Sequence, residues 1–378
     1  MRPFTFNPGP RLLAGPDQAQ ALAEKLPEGP CLFVTDAELV RLGLTDTYRA
    51  SIGTTRELTV FDSVEADPSK ETLLTAVEAG RGAASIVGFG GGSPMDVAKL
   101  AAYLLGSGDN LDEIWGVDIA KGGRLPLALV PTTAGTGSEA SPISVITCEG
   151  GVKLAVNSAP LIADWAVLDA TLTLGLPAHV TAATGIDAIV HAVEAYTSAR
   201  LKNPLSDALA REALRLLSSN LLTVIQQPRN LEARSAMLLG AHLAGLAFAN
   251  APVAGVHALA YPLGGLHHLP HGLTNALMLR HVLGHNLEAA RDHYAELAET
   301  IDPACAGEGS QARAALLIER LDDLARNSGI ALRLRDHGVA FDEAPVLARE
   351  AMKQTRLLVN NPCEITESDA QRLYEAAW

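Results

Sequence analysis

The sequence predicts an α/β N-terminal domain built on a parallel sheet, followed by an all-α C-terminal domain. Three observations predict it. In the first half, short β-rich apolar runs alternate with helical stretches, the pattern that builds a parallel sheet covered by helices. After about Pro177, strand candidates nearly vanish and helical periodicity takes over. The chain has 378 residues, long for one hydrophobic core, so two domains are expected, 1–176 and 177–378.

Four runs read as buried strands: CLFVTD (31–36), ELTVFD (57–62), SIVGFG (85–90) and LALVPTT (127–133). KETLLTAVEAGRGA and MDVAKLAAYLLG read as the helices between or after them. Sheets of this type bind ligands at the carboxyl ends of their strands. The second half offers HVTAATGIDAIVHAVEAYTS, NPLSDALAREALRLLSSNLLTVI, LEARSAMLLGAHLAGLAFA, GLTNALMLRHVLGHN, SQARAALLIERLDDLARN and a short DAQRLYEAAW.

Charge and cysteine usage narrow the function. The 43 acidic against 29 basic residues give a net charge of −14, which disfavours nucleic acid and anionic membrane as partners. The opening MRPFTFNPGP lacks the apolar region of a secretion signal. No apolar run free of charge and turn residues reaches membrane-spanning length. Cys31, Cys148, Cys305 and Cys363 are scattered with no CxxC pair, so neither a disulfide framework nor a thiolate zinc site is expected. The reduced cytoplasm is the expected compartment.

The segment GFGGGSPMDVAK (88–99) follows a strand and opens a helix. Ser93 reads as the N-cap, Pro94 as the first helical residue, and Asp96 as the partner of Ser93 in a capping box. Gly90, Gly91 and Gly92 let backbone N–H groups approach a ligand, and the helix N-terminus offers partial positive charge to a pyrophosphate. A ligand-free tight turn is the alternative, which three successive glycines do not require. The loop is neither a Rossmann GxGxxG nor a Walker loop. A second polar loop, PTTAGTGSEAS (131–141), offers the hydroxyls of Thr132, Thr133 and Thr136 at the same end of the sheet. Asp36 ends another strand, where it either accepts from an adenosine ribose, favouring NAD over NADP, or caps the next helix.

Asp187 and His191 stand four residues apart in an apolar, Pro-free run, so one helix face presents both. Six of the eleven histidines fall between 257 and 285. His257 and His271 lie on either side of a Pro-Gly turn region that can fold back to complete a four-ligand cage. On spacing alone His267 or His268 serves as well as His271. Three imidazoles and one carboxylate suit a divalent transition metal with one coordination position open.

Taken in order, GGGSPMDVAK, PTTAGTGSEAS, DAIVHAVEAYTS, HALAYPLGG and LPHGLTNALML resemble the iron-containing (group III) alcohol dehydrogenase family, as does the closing TRLLVNNP…DAQRLYEAA. The resemblance spans nearly the whole chain. It implies the dehydroquinate synthase-like architecture: a dinucleotide-binding α/β domain, a helical metal-binding domain and a catalytic cleft between them. It also implies Asp187, His191, His257 and His271 as metal ligands. Cofactor contacts would come from Asp36, Gly91, Gly92, Ser93, Asp96, Thr132, Thr133, Thr136 and, on the strand KLAV, Lys153. The implied reaction moves a hydride between a small alcohol or aldehyde and NAD or NADP, with Fe²⁺ or Zn²⁺ bound, in a homodimer. Many members carry a second histidine four residues after the third ligand; this chain has Tyr261 there, so Tyr261 or His267 is the candidate proton relay. A metal-independent maleylacetate or other oxo-acid reductase is the alternative. That branch tends to have Asn in place of Asp187, and no cluster of arginines lies near the ligand motifs in the sequence.

Overall fold

A computed structural model describes residues 3–378. The strands are β1 (Arg11–Ala14), β2 (Cys31–Val34), β3 (Leu58–Phe61), β4 (Ser85–Gly90), β5 (Gly116–Val117), β6 (Leu127–Pro131), β7 (Ile143–Thr147), β8 (Lys153–Asn157) and β9 (Trp165–Leu168). All lie in one compact unit, Pro8–Leu174. Six of them form a wholly parallel sheet in the order β1-β9-β6-β4-β2-β3, and β5, β8 and β7 form a small second sheet.

The apolar runs explain the parallel sheet. Successive side chains of a strand point to opposite faces. Leu32 and Val34 of β2 accordingly join one core with Ile86, Leu127 and the Gly92–Ser107 helix. Cys31 and Phe33 join a second core with Val87, Ala128, Tyr48 and Ile52. A sheet buried on both faces needs continuous apolar strands, which is what SIVGFG and LALVP supply. ELTVFD departs from the expectation of a buried strand. Its β3 is an edge strand whose only buried residue is Phe61. The chain steps outward from β2 to β3 and returns across β2 to β4, so the topological switch point lies between β2 and β4. The segments after these two strands carry Asp36 and the triple glycine.

The other unit comprises Gly175–Trp378 together with the residues up to Asn7, and it is helical. The opening segment thus clusters away from the α/β unit to which the sequence reading assigned it. The reason is a reciprocal amide pairing, Asn7 N to Asn250 Oδ1 at 2.6 Å and Asn250 Nδ2 to Asn7 O at 2.9 Å. The Ala178–Thr197 helix packs against the Pro204–Gln226, Leu231–Asn250 and His271–Asn286 helices. It is apolar nearly all round and buried along most of its length, as a central helix must be.

The largest departure concerns the expected turn between His257 and His271. Residues Gly255–His267 form a helix with Pro262 inside it. Burial of Val256, Leu259, Leu263 and Pro262 itself outweighs the lost N–H. The reversal comes later, at His268, which takes the left-handed conformation with φ of 54°. Among the described residues no single helix is long and apolar enough to cross a membrane. The bent pair Leu231–Asn250 and Gly255–His267, at 105°, passes on length and composition, yet carries the buried polar residues His242, Asn250 and His257.

Close packing of the Gly92–Ser107 helix on β4 depends on Gly88, where a Cβ would come within 2.6 Å of Ala98 Cβ and 2.8 Å of Leu129 Cδ2. Gly88→Ala should therefore cost about 1–3 kcal/mol of stability, the scale of core overpacking. Chemical denaturation checks it; a variant as stable as the parent would show that the helix can lift off the strand freely.

Candidate functional site

The Ala178–Thr197 helix presents Asp187, His191 and Glu194 at i, i+4 and i+7, on one face. Gly255–His267 contributes His257, and His271 opens the next helix. The structure gathers Asp187, His191, His257 and His271 so that one donor atom from each lies within 4.8 Å of every other. The Nε2 atoms of His191, His257 and His271 stand 3.8, 3.9 and 3.7 Å from the same oxygen, Asp187 Oδ1. The His191 ring stacks on His257 at 4.8 Å and meets Phe248 at a tilt, 4.6 Å between centres. The choice left open among the later histidines falls on His271.

Two residues outside the expected set organise the cluster. Glu194, itself buried, accepts Ala254 N at 2.9 Å, Val256 N at 2.6 Å and His257 Nδ1 at 2.6 Å. A carboxylate on Nδ1 fixes the tautomer, leaving the Nε2 lone pair for the cluster. Its signal was present in the sequence, a carboxylate one turn beyond His191 on the same face. Asn275, fully buried and four residues after His271, donates to Asp187 Oδ1 at 2.6 Å. The same Nδ2 lies 3.2 Å from His257 Nε2 and 3.3 Å from His271 Nε2. An amide has two N–H groups for these three neighbours. Donor atoms converging from four side chains in an apolar surround match a divalent cation, so the residues fit a metal. Burial works to raise the Asp187 pKa, but attraction to His191, His271 and His257 and the Asn275 hydrogen bond outweigh it, and the carboxylate is held below its ordinary value. The cluster is sealed on three sides: side-chain exposure is 2–5% for Asp187, His191 and His257, against 38% for His271.

Of the two relay candidates, Tyr261 is the one brought near. Its ring lies 5.8 Å from that of His271. His267 is ten residues from His257, roughly 15 Å along a helix axis, and its Nε2 faces Glu343 at 3.4 Å. It is therefore not part of the cluster.

In the α/β unit, the loops after β4 and β6 face one another. A Cβ on Gly92 would lie 3.1 Å from Thr136 Cγ2, and one on Gly91 3.9 Å from Thr133. The cap differs from the expectation. Gly91 is the N-cap without a side-chain bond, so Ser93 and Pro94 sit within the first turn, where backbone N–H groups are unpaired in any helix. Asp96 forms no capping box. Its carboxylate accepts Ser138 Oγ and Val145 N, and pairs with Lys99 Nζ at 3.2 Å. Lys99 is wholly buried, its pKa lowered by desolvation, and it donates to the carbonyls of Ser138 and Ile143. This buried pair pins the threonine loop to the glycine helix. Asp36 caps the Ala37–Arg41 helix through Leu39 N at 2.9 Å, using Oδ1. Thr132 is buried, with its N–H on Gly90 O at 2.9 Å. Lys153 is ion-paired with Asp67 at 2.6 Å.

The α/β unit carries paired loops at the switch point of its parallel sheet, the helical unit carries an Asp–His cluster that fits a metal, and the relatives of the chain are oxidoreductases acting on CH–OH groups. Residues 9–170 match "Iron-containing alcohol dehydrogenase" and residues 181–378 match "Fe-containing alcohol dehydrogenase family, C-terminal". The chain belongs to the iron-containing alcohol dehydrogenase family. Long-chain-alcohol dehydrogenase 1 of Geobacillus thermodenitrificans is 38% identical over 368 residues, 96% of this chain and 93% of that protein. A crystal structure of 1,3-propanediol oxidoreductase is similar at TM-score 0.96 and 33% identity, covering 100% of both chains. The structure of sulfoacetaldehyde reductase from Bifidobacterium kashiwanohense in complex with NAD⁺ is similar at TM-score 0.88 and 27% identity, covering 100% of this chain and 99% of that one.

Glu194→Gln should lower metal affinity about 10–100-fold, the usual effect of losing a carboxylate behind a metal-bound histidine. Competition with a chromophoric chelator measures it; parental affinity in a folded Glu194→Gln protein would remove Glu194 from the metal site.

Proposed function

We propose that this chain interconverts an aldehyde and its primary alcohol with NAD as hydride carrier and Fe²⁺ as its metal. The observation that carries the reading is the buried Asp187/His191/His257/His271 cluster with its single exposed side. When bound, the metal supplies Lewis acidity to the substrate oxygen and the nicotinamide supplies or accepts the hydride. In the reducing direction R–CHO, NADH and H⁺ give R–CH₂OH and NAD⁺.

Every other task falls to the chain's own residues. Asp187 contributes one negative charge and the three imidazoles none, so the occupied site keeps net positive charge where a carbonyl oxygen gains electron density. Glu194 holds His257 with its lone pair inward. Gly91, Gly92 and Ser93 bring backbone N–H groups and a helix N-terminus to the pyrophosphate, and Thr132, Thr133 and Thr136 line the facing loop. Asp96 acts behind them by fixing that loop. Asp36 hydrogen-bonds the adenosine ribose and repels a 2′-phosphate, which favours NAD over NADP. Tyr261 passes the proton to and from the substrate oxygen. The Arg356 guanidinium, only a donor, lies 3.4 Å from the Tyr261 oxygen, so the phenolic hydrogen is left to point elsewhere. The donor set accepts Zn²⁺ as well as Fe²⁺. The protein works as a homodimer in the cytoplasm, a compartment that suits its four free cysteines.

Asp187→Ala and His257→Ala should each lose bound metal and lower turnover by at least about a thousand-fold, since Lewis-acid assistance is worth several kcal/mol. NADH binding, followed by nicotinamide fluorescence, should persist in both. A metal-free Asp187→Ala protein that turns over at the parental rate would end the proposal.

A further inference from the structure

We propose that Arg356, seated on Tyr261, recognises an anionic end group, so that the preferred substrate is a short aldehyde bearing a carboxylate or sulfonate. This rests on the dehydrogenase reading above and adds the substrate's chemical class. With three ligands of the cluster sealed, a substrate oxygen approaches on the side of His271. Tyr261 stands on that side, and the Arg356 guanidinium lies beyond it, 5.8 Å from the Tyr261 ring centre. The sequence hid this arginine, which is 95 residues from Tyr261.

Its surroundings single it out. A guanidinium offers five N–H donors, and among the described residues its hydrogen-bond partner is a phenol oxygen at 3.4 Å. No ion pair is formed by Arg356 among the described residues, and unlike Arg56 and Arg234, whose guanidinium groups bond backbone carbonyls, it stands beside Tyr261 and, through it, His271. Neither is its segment loose. Leu357 is buried beside it, and Asn360 Nδ2 donates to Arg356 O and Val253 O, both at 3.0 Å, tying this turn to the strand of chain leading into His257. An exposed cation on a tied-down backbone, one aromatic ring away from His271, suits a bidentate anion at the far end of a short chain. An uncharged alkyl tail gains nothing from it.

The test compares kcat/KM, for the Fe²⁺-loaded protein with NADH, on 4-oxobutanoate and its uncharged counterpart 4-oxobutanamide. Sulfoacetaldehyde and propanal form a second pair that separates sulfonate from carboxylate preference. The charged member of at least one pair should be favoured by roughly ten-fold or more, the scale of one charge-assisted hydrogen bond. That ratio should collapse toward one in Arg356→Gln, recover in part in Arg356→Lys, and shrink as salt is added. A ratio near one in the parent, or one that survives in Arg356→Gln, overturns the proposal while leaving the dehydrogenase intact. No NADH oxidation with any aldehyde would instead overturn the dehydrogenase reading, and this inference with it.

Discussion

A carboxylate in the middle of an apolar helix has to be matched by positive charge or by hydrogen bonds, and the helical unit is arranged around that demand at Asp187. It is 2% exposed, and three imidazoles converge on one of its oxygens. Bringing them there constrains the backbone. Gly272 runs so close to the central helix that a Cβ would collide with the Ala183 carbonyl, so a larger residue would push the His271 helix away from Asp187. Glu194 stabilises His257 from behind while binding the N–H groups that open its helix. Charge, close packing and helix entry are therefore one construction.

The α/β unit solves a related problem by different means. Lys99 is wholly buried and would be costly there without partners. Asp96, one turn away on the same helix, and the carbonyls of Ser138 and Ile143, on elements packed against it, supply them. The consequence is a threonine loop held against Gly92 before any ligand arrives. A preformed loop lowers the ordering cost of binding.

Much of this was legible because strong local signals agreed with the packing. The strands SIVGFG and LALVP are apolar apart from Ser85, so their burial on both faces was readable, as was the four-residue spacing of Asp187 and His191. Features set by distant parts of the chain were not. The edge position of β3 depends on sheet order, and RLLA and WAVL carry no period to mark them as β1 and β9. Pro262 misled because local propensity yields to burial when a helix is enclosed. Ser93 reads as a cap by composition, yet Gly91 is the N-cap, and no side chain there crowds the facing Thr133. Asn275 and Arg356 were invisible for a plainer reason, since the hydrogen bonds that place them, to Asp187 and Tyr261, reach 88 and 95 residues along the chain.

The cluster is buried everywhere except beside His271. The central claim is that Asp187, His191, His257 and His271 enclose one divalent cation. Anomalous X-ray diffraction at the iron edge, on crystals grown with Fe²⁺, tests it most directly. The account predicts a single strong peak about 2.0–2.2 Å from one donor atom of each of the four side chains, with the Asn275 amide displaced from their centre. A peak elsewhere on the chain, or none between these residues in iron-loaded protein, would contradict it.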